Sequence, residues 1–257
     1  MTIQIKNAAA SLMVAAVLAA ALPVMAQRAP APAPVNLPPE VLSLACAPKL
    51  AFEAPPTPMR ITGSQESFVH RNFAPGDLIT VNAGTDNGIE VGQEYYTRRA
   101  VPVENRAIGR DNPAAIRTTS WIRIWAVDRE MSLATITHAC DSVELNDYLE
   151  PFVLPEEPTV SADRPKAQRG NYGRLMSGND NRTIFGRGDY FLVDRGSDHG
   201  VTRGSQFVVY RDTRQPENFL FELGEAVAVD VAPEWSALRI TLSRDAFRSG
   251  DYVALRK

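Results

Sequence analysis

The sequence is poor in the side chains that most often carry proton transfer and nucleophilic chemistry. It holds only three histidines and two cysteines in 257 residues. The charge excess is also small, a net −3 with acids and bases interspersed. That leaves no basic footprint for nucleic acid and no polybasic patch for a membrane surface. Long helical patterns are missing too. The only helix candidate is Pro39–Ala45. One long apolar run exists, Ala8–Val24, about 17 residues and at the short edge of what spans a bilayer.

That run has a lone cation before it, Lys6, and no acid. It ends at Val24-Met25-Ala26, with small residues at the positions a signal peptidase reads. Residues 1–26 are therefore expected to be a secretory signal peptide, leaving no integral membrane segment after cleavage. Residues 27–39 are rich in Pro and Ala, a composition that stays extended and buries no core. The rest is long enough for one large or two small domains.

An even cysteine count in an exported chain favours a disulfide, Cys46 to Cys140. It would close a loop of 94 residues, which the chain-entropy model values at about 4–5 kcal/mol. Ser43-Leu44-Ala45-Cys46 lacks Leu at the usual lipobox position and sits far beyond the apolar run. No lipid anchor is expected.

An internal repeat decides the architecture. Gly76–Arg99 lies over Gly188–Arg211 at an offset of 112 without a gap. Eight positions are identical, among them Gly84/Gly196, Asp86/Asp198, Gly88/Gly200, Gly92/Gly204 and Arg99/Arg211. Ala126–Tyr148 lies over Asp230–Tyr252 at an offset of 104, again gapless, with Asp141/Asp245 and Asp147/Asp251 identical. The change of offset places eight extra residues in Ala100–Thr118, a surface loop by its prolines and charges.

Each block has the pattern of strands. Leu78–Asn82 or Tyr190–Asp194 leads into an Asp-containing Gly turn, where Gly supplies positive φ and Asp bonds its own turn. A strand leaves it at Glu94–Arg98 or Gln206–Tyr210. Trp121–Val127 and Leu133–Thr137 follow in the first copy, Leu223–Val231 and Ala237–Leu242 in the second. Each copy closes on Asp-Tyr and a last strand, Leu149–Val153 or Val253–Leu255. The expected fold is all-β: two tandem small β-barrel or sandwich modules. The first spans 40–153 with an N-terminal extension, 154–168 is a linker, and the second spans 169–257.

Candidate chemistry is thin. His138 falls opposite Leu242 and His199 opposite Asn87, so neither recurs; His70 lies outside both aligned blocks. His138 beside Cys140 is expected to be a strand residue next to a disulfide, because zinc needs three or four ligands. The recurring aspartates, Asp77/Asp189 included, are expected to cap turns. Asn179-Asp180-Asn181 opens like a calcium loop but lacks the Gly and the acid that complete one. No serine sits in a nucleophile elbow. The Gly84, Gly88, Gly92 spacing is not a nucleotide fingerprint. Trp121 and Trp125 share a face on a regular strand, and with Trp235 are expected in cores rather than on a sugar platform. No catalytic residue, cofactor or metal is expected.

The stretch strand–G-[TS]-D-x-G-[IV]-x-x-G–strand, then strand, bend, strand and an Asp-Tyr close, resembles the β modules of exported bacterial envelope proteins. Among these are the C-terminal domain of the flagellar assembly protein T family and modules that trail lysin-motif domains. The β domain of the rod-shape-determining periplasmic scaffold family is similar at Asp194, Gly196, Gly200, Val201 and Gly204. No lysin motif is visible, nor a transmembrane helix followed by a coiled coil, so the nearest likeness is to secreted tandem-module proteins. The resemblance implies non-catalytic work in the envelope, against an envelope protein or peptidoglycan. The alternative is a lectin or hydrolase of envelope polysaccharide, which would need a carboxylate pair or an exposed Trp platform.

Overall fold

The computed structural model describes residues 38–51, 59–64, 72–102, 114–178, 182–213 and 219–257. The expected signal peptide, most of the Pro-Ala tether, His70, the Asn179–Asn181 run and positions 103–113 lie outside the described residues.

Helix α1, Pro39–Ala45, comes first, with a proline in its first turn where the missing N–H costs nothing. A short strand β1, Lys49–Ala51, follows. The first copy of the repeat then supplies β2 (Ile61–Ser64), β3 (Asn72–Phe73), β4 (Leu78–Val81), β5 (Glu94–Pro102), β6 (Ala114–Val127), β7 (Ser132–Ala139), β8 (Val143–Glu144) and β9 (Tyr148–Pro151). The second supplies β10 (Gly173–Gly178), β11 (Ile184–Phe185), β12 (Tyr190–Val193), β13 (Gln206–Asp212), β14 (Leu220–Val231), β15 (Ser236–Ser243), β16 (Phe247–Arg248) and β17 (Tyr252–Leu255). The chain is all-β in two tandem modules. Among the described residues no helix is long and apolar enough to cross a membrane.

The two copies have one topology. The second is a closed antiparallel barrel in the order β10-β12-β15-β14-β13-β17. The first follows β2-β4-β7-β6-β5-β9. Its ends meet through the bridge Arg60 to Tyr148, with Ile61 N–H donating to Asp147 O at 3.0 Å and Leu149 N–H to Met59 O at 3.0 Å. Side ribbons β3–β8 and β11–β16 correspond as well. Even the irregularities repeat. Bulges between Trp121 and Ile122 and between Ile124 and Ala126 match those at Glu225/Ala226 and Ala228/Asp230.

Alternation fills each barrel. Ile61, Ile79, Val81, Ile122, Ile124, Ile136 and Leu149 are buried in the first. Leu175, Phe191, Val193, Phe207, Ala226, Leu238, Ile240 and Val253 are buried in the second.

The central hairpin departs from the expectation. The stretch Ala100–Thr118 is not all surface loop: β5 continues to Pro102 and β6 begins at Ala114. Its arms stay paired and are covered. β1 adds to the free edge of β6, Leu50 opposite Ala115, and makes a three-stranded end beyond the barrel. β1 is too short to stand out in the sequence. Likewise β14 begins at Leu220, three residues before the expected start.

A third core joins the modules. Leu44 of α1, Ala47 just after it, Leu50 of β1 and Ala115 of β6 pack with Met176, Tyr190, Leu192, Val229, Trp235 and Ala237 of the second barrel. Ser43 Oγ donates to Tyr190 Oη at 3.0 Å across it. Both barrels thus belong to one compact unit.

Candidate functional site at the joint between the barrels

The glycine turns come first, because they shape both barrels. Gly84 and Gly196 are extended, and each starts a single 3-10 turn, Thr85–Asn87 or Ser197–His199. Gly88 and Gly200 end it in the left-handed region, with φ of 76° and 78°. Gly92 and Gly204, with φ of 88° and 86°, make the next turn. The 3-10 turn docks on the bend between the two long strands. Thr85 and Asp86 N–H donate to Asp128 O and Arg129 O at 2.9 and 3.0 Å, and Ser197 and Asp198 repeat this on Ala232 and Pro233.

This geometry gives His199 a role that its position did not reveal. Gly196 N–H donates to His199 Nδ1 at 3.3 Å, as Gly84 N–H donates to Asn87 Oδ1 at 3.2 Å. The two side chains are structural equivalents. Asp86 instead turns outward to Arg129 at 3.4 Å, so at this position the backbone N–H holds the turn.

Other recurring aspartates cap N–H groups three residues back. Asp77 accepts from Ala74 at 2.8 Å, Asp189 from Gly186 at 2.9 Å, Asp147 from Glu144 at 3.0 Å and Asp251 from Arg248 at 2.7 Å. Asp147 and Asp251 also take a two-pronged guanidinium. Arg99 Nε reaches Asp147 Oδ1 at 2.7 Å, and Arg211 Nε reaches Asp251 Oδ1 at 3.0 Å. Burial pushes the Asp147 carboxyl up from the ordinary carboxylate range, while Arg99 pulls against that shift. The identical pairs are visible in the sequence but their binding to each other is not, since the partners lie 48 and 40 residues apart.

Features private to the first module gather at the joint. Cys46, just after α1, is bonded to Cys140, with a Cα–Cα distance of 5.4 Å. His138 Nε2 lies 3.9 Å from Cys46 Sγ, and burial lowers its pKa from the ordinary histidine value. These three residues form one cluster of ligand-type atoms, and the disulfide occupies both sulfurs.

Next to α1 lies a cleft of about 370 Å³, lined by residues of both modules. Arg98 is buried in its wall. It donates to Thr118 Oγ1 and, at 3.2 Å, to Glu150, and its guanidinium lies 4.5 Å from the Tyr96 ring centre. Lys49 reaches the same Glu150 oxygen at 3.3 Å. Burial pushes the Tyr96 phenol up to about 12, with Arg98 opposing and Glu150 adding. It stays protonated and donates to Val153 O at 3.0 Å, fastening the start of the linker. Across the cleft Arg203 donates to two backbone oxygens, Val229 at 3.0 Å and Glu156 at 2.6 Å. The arrangement holds charge and fixes backbone; one Glu150 oxygen is shared by two cations.

The tryptophans separate. Trp121 is buried under Phe152, stacked with ring centres 3.9 Å apart. Trp235 is buried in the joint. Trp125 is exposed on the first barrel, so the expectation of core packing fails for it. The three indoles occupy three separate places, not one platform.

No family model matches the chain, and neither does any curated protein.

Proposed function

We propose that the chain is an exported, non-catalytic binding or scaffold protein of the bacterial cell envelope, acting through protein–protein or cell-wall contacts. The observation that carries this reading is the joint. Two copies of one barrel are held as a single unit by a shared apolar core and a disulfide-anchored brace. Such an arrangement sets two similar surfaces at fixed spacing, which serves binding. The disulfide fits an oxidising compartment, and the apolar N-terminal run fits a route to it. Lys49, Arg98, Glu150 and Arg203 around the cleft are engaged with each other or with backbone, as befits a wall rather than a reaction centre.

Fractionation followed by retention on partners tests this. The expected result is a periplasmic or secreted protein that lacks residues 1–26, has Cys46 linked to Cys140, and is retained by peptidoglycan sacculi or an envelope protein across a range of salt. A cytoplasmic, reduced, full-length chain, or an exported one retained by neither, overturns it.

A further inference from the structure

The two modules differ in which of their apolar surfaces are covered, and the differences are complementary. In the first module the far end of the β5–β6 hairpin contributes Ala115 and Val101 to the joint, under Leu50 of β1. In the second module the strand register is the same: Ala100 pairs with Ile116 as Asp212 pairs with Leu220, and Arg99 with Arg117 as Arg211 with Phe221. Phe219 therefore stands where Ala115 does. No described strand lies along β14 there as β1 lies along β6. Phe219 is 58% exposed and Phe221 45%, their rings packed edge to face at 5.0 Å.

The receiving surface shows the converse. On the second barrel it is Tyr190, Leu192, Val229, Trp235 and Ala237, all buried by the joint. At the offsets of 112 and 104, the first barrel carries Leu78, Thr80, Trp125, Met131 and Leu133 there. Trp125 is 41% exposed and Met131 50%. Val91, 66% exposed, replaces Arg203, whose guanidinium lies against the carbonyl of Val229, the counterpart of Trp125. Neighbouring large apolar residues left in water mark an interaction surface.

We propose that the protein associates head to tail with a second copy of itself. The Phe219–Phe221 end of the second module's hairpin docks on the Val91, Trp125, Met131 face of the next copy's first module. This repeats between chains the joint that the structure already makes within one. The phenylalanines supply the bulk that β1 supplies inside the chain. Such a contact uses two different surfaces, so it propagates into a chain of molecules or closes into a ring. The inference goes beyond the envelope reading and stands on the repeat alone.

Sedimentation of the purified protein tests it, from about 1 to about 500 µM, where interfaces of modest size associate. The wild type is expected to grow in mass with concentration. Phe219→Asp with Phe221→Asp, and separately Trp125→Glu with Met131→Glu, are expected to remain monomers. Mixed, these two variants each keep one intact surface, and they are expected to form a one-to-one complex of twice the monomer mass that grows no further. A wild type that stays monomeric overturns the proposal. So does growth that survives in either variant, or a mixture that stays monomeric. Serine at the same positions replaces any variant that fails to fold. Retention on sacculi by monomeric variants separates this result from the fate of the envelope reading.

Discussion

Gly84 and Gly88 are four residues apart and are glycine for different reasons. Gly84 is extended, a conformation any residue adopts, but a Cβ there would run into the carbonyl oxygens of Asp128 and Arg129. Gly88 has open space around its missing Cβ and a φ of 76°. Gly84→Ala is therefore expected to undock the turn and cost about 2–4 kcal/mol. Gly88→Ala is expected to cost about 1–2 kcal/mol, the strain of a left-handed L-residue. Urea unfolding of the two variants checks the order; equal losses would contradict it. His138 makes a second case. Burial lowers its pKa in the folded state, so the unfolded chain binds the proton more readily. Its contribution is present above the ordinary histidine pKa and is lost as pH falls through the lowered value. His138→Leu places there the residue that the second module has at the equivalent position. The variant is expected to lose less stability than the wild type between pH 7.5 and 5. Parallel losses in urea titrations at the two pH values would rule this out.

At the level of elements, the sequence displayed turns better than strands. Gly, Asp and Tyr at fixed spacing mark positions where backbone demands one residue type, so they survived in both copies. The Pro39–Ala45 helix was legible from its proline start and apolar content. The strand ends were not, because pairing extends wherever a neighbour covers an edge. β5 and β6 run on through Val101 and Ala115, where β1 and the second barrel lie against them. Nothing local in Lys49-Leu50-Ala51 announces a strand. The even spacing of Trp121 and Trp125 gave no warning that Phe152 covers one while the other stays exposed. Likewise the identical pairs Arg99/Arg211 and Asp147/Asp251 were visible as letters, while their ion pair needed the barrel to bring them together.

For the whole molecule, the disulfide is the clearest lever. It ties the α1 brace to the end of β7 across 94 residues of chain. Reduction, or Cys46→Ala with Cys140→Ala, is expected to lower stability by up to about 4–5 kcal/mol in the chain-entropy account. The loss is expected to be uneven. Hydrogen exchange in Leu44–Ala51 should quicken before exchange in the barrel strands does, since those residues lean on the joint rather than on a barrel interior. Uniform quickening across both barrels would show that the tie stabilises the barrels directly.

The brace also sets an order of events. Domains generally fold as units, and a local module needs no distant partner to complete its core. Yet α1 has its seat on Tyr190 and Trp235, and its covalent anchor at Cys140. The first described element of the chain is thus among the last to be placed. Until the second barrel exists, Leu44 and Leu50 have nowhere dry to go. A chain broken off after the first module would leave the apolar face of this leading segment without the second-barrel surface it packs on.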